Sequence, residues 1–214
     1  LGHAGRKAST WNGKQTSLEE NGWITVAPSE IPYLEGERTP HALTKSEISE
    51  LVNAFKEAAV RSVKAGFDVI EIHAAHGYLL CEFLSPLSNT REDIYGGSLE
   101  NRCRLVLEIA KELKQKVDLP LIVRISADEW MNEGWKINDS IYLSKELEKI
   151  GVNAIHVSSG GNQEKTDNSP ELKPLYQSNW AKQIKKEINI PVIAVGLITT
   201  AIEGEKLLEE KYCD

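Results

Sequence analysis

Two imidazoles three residues apart, His73 and His76, are followed after one glycine by the phenol of Tyr78, where the apolar run Val69 to Ile72 turns polar. Three groups able to donate hydrogen bonds or carry protons thus emerge together where a strand meets its loop, the usual address for chemistry in a parallel α/β protein. Blander readings of the same residues are two zinc ligands, two satisfied core histidines and a packed tyrosine. Three-residue spacing in a strand-to-loop segment, with no Glu inside the pair, is poor for zinc, and no metal is expected. A fourth signal is Arg124, the one charge in the otherwise apolar run Leu121 to Ile125, since a buried guanidinium needs a polar or anionic partner. A carboxylate such as Glu71 or Asp128 would satisfy it, and so would a ligand. Ser159-Gly160-Gly161 and Gly196 each follow an apolar run, and their free backbone N–H groups suit an anion such as phosphate, although glycines also simply end strands.

The elements that would position these groups alternate between helix and strand. Ile48, Leu51, Val52, Phe55, Ala58, Ala59 and Val63 follow helical spacing, Thr44 with Glu47 forms a capping box, and Gly66 marks the stop. A strand from Val69 to His73 comes next. Further helices are expected from Ser98 to Val117, Asp139 to Ile150, near Trp180 to Glu187, and after Thr199, with strands at Leu121–Ile125, Ala154–Val157 and Pro191–Val195 between them. Apolar strands each separated by a helix imply a parallel sheet covered by helices. Spacing does not distinguish an open doubly wound sheet from a closed barrel, but no Gly-x-Gly-x-x-Gly turn indicates the former. The stretch Thr10 to His41, with Trp11, Asn12, Gly13, Pro28, Pro32 and Pro40, has no sustained pattern and is either a surface excursion or part of an active-site mouth.

Composition excludes several classes. The formal charge of −7 and dispersed basic residues leave no electrostatic footprint for nucleic acid. No apolar run approaches the roughly 20 residues that span a bilayer, so no membrane partner is expected. Cys81, Cys103 and Cys213 are too few and too irregular for a disulfide framework or zinc knuckle, which points to a reducing, cytoplasmic setting. Cys81 reads as packing.

Longer motifs narrow the reading. Leu1-Gly2-His3-Ala4-Gly5-Arg6-Lys7-Ala8, then His73 to Leu80, Phe83-Leu84-Ser85-Pro86, Ser88-Asn89-Thr90-Arg91 and Tyr95-Gly96-Gly97-Ser98-Leu99-Glu100-Asn101-Arg102 occur in this order. Together they resemble the Old Yellow Enzyme family of FMN-dependent oxidoreductases, within it the bacterial ene-reductase branch, over nearly the whole chain. The resemblance implies a (β/α)8 TIM barrel, FMN as cofactor, NADPH or NADH as reductant, and a small alkene or nitro compound as acceptor. It implies that His73 and His76 grip the acceptor's oxygen, that Tyr78 protonates the acceptor, and that Arg124 faces the N1 and carbonyl edge of the flavin. Gly161 and Gly196 would contact its ribityl or phosphate. Arg6, Arg91, Asp93 and Arg102 belong to the motifs too, but their charges read better as pins between loops. His3 is ambiguous, and His41 and His156 have no role by this resemblance.

A whole barrel needs around 250 residues. Residues 1–214 are therefore expected to form the central part of an FMN-binding barrel, and the resemblance implies that the first two strands, the glutamine ahead of Leu1 and the last strand with its Gly-Arg phosphate site are not among them. Such a sheet would expose an apolar inner face and unpaired edges that favour a homo-oligomer, and would hold FMN weakly or not at all. Two alternatives stay open: an inactive folded fragment, or part of a larger iron–sulfur flavoprotein of the dienoyl-CoA reductase or amine dehydrogenase type.

Overall fold

The computed structural model describes residues 1–8, 10–11 and 14–214, with backbone alone at 10, 11 and 14. Asn12 and Gly13, counted above in the patternless stretch, lie outside the described residues. That stretch holds a two-residue antiparallel ladder, β1 (Thr10–Trp11) with β2 (Lys14–Gln15), and a 3-10 turn at Leu18–Glu20. It also holds β3 (Val26–Ala27), which pairs in parallel with β4 (His41–Ala42).

The helix-strand alternation then follows. Helix α1 (Lys45–Lys64) starts at the Thr44–Glu47 capping box and is followed by Gly66 at a φ of 84°. Strand β5 (Ile70–Ala74) leads into a short helix α2 (Leu79–Leu84), and α3 (Leu99–Lys116) is capped by the Ser98 side chain on the Asn101 N–H. Next come β6 (Leu121–Ser126), α4 (Ile137–Ile150) stopped by Gly151 at a φ of 93°, and β7 (Ala154–Ser158). The described chain closes with α5 (Ser178–Lys185), β8 (Val192–Ala194) and α6 (Ala201–Glu209). Every expected helix and strand is present within a few residues. Val63, assigned to the apolar face of α1, is 41% exposed.

Strands β5, β6, β7 and β8 form one parallel sheet in that order, an incomplete barrel among the described residues. Side chains alternate across a strand. Ile70, Ile72 and Ala74 of β5, Leu121, Val123 and Ile125 of β6, and Ile155 and Val157 of β7 are buried in the cluster that includes Phe55, Leu105, Ile109, Leu113 and Leu147 from the outer helices. Each such Leu, Ile or Phe side chain contributes about 1.5–3 kcal/mol by leaving water. The opposite face corrects an expectation: it is polar rather than apolar, because Glu71, His73, Arg124 and His156 occupy its alternate positions. Its two edges are partly engaged. The His73 N–H donates to the Leu1 carbonyl at 2.7 Å, so residues 1–3 lie beside β5, and the Asp214 N–H donates to the Val192 carbonyl at 2.9 Å beside β8.

Candidate active site

Parallel registry places His73, Arg124, His156 and Ile193 in one row across the inner face. The Arg124 guanidinium forms no ion pair among the described residues. Of its two candidate partners, Glu71 accepts a 2.7 Å bond from His156 Nδ1, and Asp128 lies 3.8 Å from Lys136. Neither makes a direct salt bridge to Arg124, whose charge nevertheless helps, after the His156 bond, to hold the Glu71 carboxyl below its ordinary value. Three buried nitrogens of this row have no partner among the described residues: His73 Nδ1, Arg124 Nε and His156 Nε2.

The His73, His76 and Tyr78 rings gather at the strand's end. The His73 centroid lies 5.1 Å from that of His76 and 5.2 Å from that of Tyr78, both edge to face. Burial, then the nearby Arg124 charge, lowers both imidazoles from their ordinary value, His76 to about 4. Both rings are neutral donor-acceptor groups at neutral pH. His76 has a left-handed φ of 59°, uncommon for a side chain with Cβ, and it is held from several sides. Its N–H donates to Ser126 Oγ at 2.8 Å, its Nε2 lies 2.7 Å from Ser158 Oγ, and its carbonyl accepts from Lys7 Nζ at 2.7 Å. Ser126 and Ser158 are neighbours at the ends of β6 and β7, so the sheet itself sets the His76 geometry. Tyr78 forms the N-cap of α2, whose six residues are all buried, which fixes the phenol's backbone to the core.

Gly161 and Gly196 sit at the ends expected, with φ of 90° and 119°. A Cβ at Gly161 would lie 2.7 Å from His76 Cα, and one at Gly196 would lie 2.4 Å from Gln177 Cγ. Their lack of a side chain is thus needed for packing against the protein's own loops, and only their backbone N–H groups remain for a ligand.

The motif arginines pin loops. Arg6, 2% exposed, donates to the carbonyls of Asn162, Ile31 and Pro32. Arg91 pairs with Asp93 at 2.7 Å and donates to the carbonyls of Pro28 and Leu43, and Arg102 donates to those of Leu84 and Gly97. The Arg6 and Arg91 bonds tie Pro28, Ile31 and Pro32 down beside the site. There Trp23, Tyr33, Leu34 and Glu37 join Lys7, Ala8 and Tyr78 around a pocket of about 320 Å³, favouring the mouth over the surface excursion. Cys81 is buried and its thiol is pushed up to about 12, in keeping with packing. His3 Nδ1 accepts from the Gly5 N–H, and His41 pairs with Glu47 at the surface.

Sequence reasoning missed Lys7, Ser126, Ser158 and Tyr33 at the site, and the buried network beneath it. In that network Glu129 accepts from Ser85, Trp135 and Asn162, while Glu82 accepts from the Arg6 N–H. An acidic residue within an apolar helix, as Glu82 is in Leu79–Leu84, was the one available signal.

A sequence model of the NADH:flavin oxidoreductase / NADH oxidase family matches residues 1–214. An NADPH dehydrogenase of Halalkalibacterium halodurans is 47% identical over the whole chain, which spans 59% of that relative's length. Among solved structures, 2-naphthoyl-CoA reductase superposes over the whole chain with a TM-score of 0.86 at 24% identity, the chain covering 34% of it. The old yellow enzyme homologue from Zymomonas mobilis superposes over 90% of the chain with a TM-score of 0.69 at 26% identity, 56% of it being covered. With the Old Yellow Enzyme resemblance of its motifs, the chain belongs to the NADH:flavin oxidoreductase / NADH oxidase family.

Proposed function

We propose that the full-length protein is an FMN-dependent oxidoreductase that takes hydride from NADPH or NADH and delivers it to an electron-poor alkene, such as an α,β-unsaturated carbonyl or nitro compound. Residues 1–214 then form part of its FMN-binding barrel domain, working in the cytoplasm, with a homo-oligomer as the assembled state. The observation that carries this reading is the row of unpartnered buried nitrogens on His73, Arg124 and His156, beside the His76 and Tyr78 rings. Leaving such groups unpaired is costly, and a polar, flat ligand edge would satisfy them.

Bound against this row, FMN would supply the two-electron chemistry that the side chains cannot perform. Arg124 would hold the ligand's polar edge and stabilise negative charge there. With the Ser158 hydroxyl donating to His76 Nε2, the neutral His76 ring keeps its proton on Nδ1. His73 and His76 then donate to one acceptor oxygen and draw charge from the double bond, in the manner of an oxyanion hole. The Tyr78 hydroxyl delivers a proton to the carbon that becomes negative. Gly161 and Gly196 offer backbone N–H groups to the ribityl or phosphate end. The alternative of a larger protein of the dienoyl-CoA reductase or amine dehydrogenase type has likeness to 2-naphthoyl-CoA reductase at 24% identity and to a histamine dehydrogenase from Rhizobium at 29% behind it, against 47% identity to an NADPH dehydrogenase.

The test is anaerobic stopped flow on the full-length protein. NADPH should bleach the flavin absorbance and 2-cyclohexenone should restore it. Bleaching by NADPH without restoration by any enone or nitroalkene would remove the acceptor class and leave only the reductive half.

A further inference from the structure

Lys7 is an unusual lysine. It is half-buried, and no carboxylate lies within ion-pair distance among the described residues. Burying an ammonium without a counter-charge is expensive unless its donors are well used. Here Nζ donates to the His76 carbonyl at 2.7 Å and to the Gly161 carbonyl at 2.6 Å, and lies 4.4 Å from the Tyr33 ring centroid and 5.2 Å from that of Tyr78. Both carbonyls belong to left-handed residues, His76 at a φ of 59° and Gly161 at 90°. The two loops that carry them touch backbone to backbone: a Cβ at Gly77 would lie 2.2 Å from the Gly161 carbonyl oxygen, and one at Gly161 would lie 2.7 Å from His76 Cα. Such conformations persist only where the surroundings over-determine them. The two serines fix the His76 N–H and imidazole, and Lys7 is the group that fixes its carbonyl.

We propose that Lys7 is a positioning residue of the acceptor site, its ammonium clasping the His76 and Gly161 loops so that the strained His76 backbone presents its imidazole beside His73. This rests on the reading of His73 and His76 as acceptor-binding donors. Lys7 acts through the orientation of His76 rather than through contact with the acceptor.

The experiment is a double-mutant cycle on the full-length, FMN-loaded protein, read by titration with 4-hydroxybenzaldehyde, whose phenolate should give a long-wavelength charge-transfer band. Loss of the charge-assisted bonds in Lys7→Met should weaken phenol binding about tenfold in the wild-type background. In the His76→Ala background the same change should have an effect within about twofold, because contacting residues that act as a unit are not additive. Equal tenfold losses in both backgrounds, or no loss in either, would overturn the role. If Lys7→Met fails to retain FMN, Lys7→Gln, which keeps a neutral donor, should give a smaller loss that again vanishes with His76→Ala. Wild-type protein that binds FMN but no phenol would refute the acceptor-site reading itself, and this role with it. Phenol binding by wild type that Lys7→Met leaves unchanged would refute only the role of Lys7.

Discussion

Replacing Arg124 by Met keeps an unbranched stem about as far as Nε and removes the charge from the centre of the inner-face row, where it stands between His73 and His156. No carboxylate among the described residues forms an ion pair with the guanidinium, Glu71 being bonded to His156 and Asp128 lying near Lys136, so its donors remain open to a ligand even though Glu71 feels its charge. A hydrogen bond to a charged group is worth about 1.5–3 kcal/mol. If that bond is made only when the flavin edge becomes negative, its loss lowers the two-electron potential by about 30–65 mV, at roughly 1.4 kcal/mol per 30 mV. A second consequence concerns the histidines. Burial is the larger cause of their lowered pKa and Arg124 the next, so both imidazoles should rise in Arg124→Met yet stay below their ordinary value. At pH 7 they remain neutral, and the potential change can be read without a change in their charge. The assay is an anaerobic titration of the FMN-loaded, full-length protein against a reference dye. A potential within about 10 mV of wild type, far less than the shift for a tenfold change in equilibrium constant, would refute the placement of Arg124 at the flavin.

Three further outcomes follow from the same geometry. Tyr78→Phe should slow flavin reoxidation by an enone by about 10²–10⁴-fold while leaving reduction by the nicotinamide nearly unchanged, so equal slowing of both halves in stopped flow would contradict its role as proton donor. Glu82 is buried and pushed up to about 8 from an ordinary 4.5, burial being the main cause. Its ionisation is easier in the unfolded chain, so the stability it contributes is full below pH 4.5 and is lost as pH rises to about 8. Glu82→Gln should therefore gain urea resistance relative to wild type at pH 9 compared with pH 5, and an equal difference at both pH values would contradict the buried neutral acid. Gly161→Ala puts a Cβ at a φ of 90° and 2.7 Å from His76 Cα, so the melting temperature should fall by several degrees, from strain of about 1–3 kcal/mol. A melting temperature within about one degree of wild type would show that the loops yield freely.

What the sequence revealed was what local chemistry encodes. The Thr44–Glu47 capping box, the Ser98 cap and the αL stop at Gly151 act over three or four residues, and the helices begin and end beside them. Helix α2 was illegible because Leu79–Leu84 is buried on every side, which erases the periodicity that marks a helix. The polar inner face was hidden for a related reason: Arg124 stands out among apolar neighbours, but that His73 and His156 share its row depends on registry between separate strands. The partners of His76 are more remote still, since Ser126, Ser158 and Lys7 are 50, 82 and 69 residues away in sequence. Candidate groups were therefore visible one at a time, whereas their support depends on long-range packing.

The central claim is that His73 and His76 jointly hold the oxygen of a ligand placed over the flavin, and a phenol titration of the full-length protein tests it most directly. One equivalent of a phenol should produce a charge-transfer band with the oxidised flavin. His73→Ala and His76→Ala should each weaken it at least tenfold, the loss of a charged hydrogen bond of roughly 1.5–3 kcal/mol. With the His76 imidazole lowered to about 4 by burial and then by Arg124, wild-type affinity between pH 6 and 8 should show no step from His76 beside the phenol's own ionisation. Unchanged affinity in both alanine variants, with FMN bound, would return the two histidines to the structural core and contradict the account.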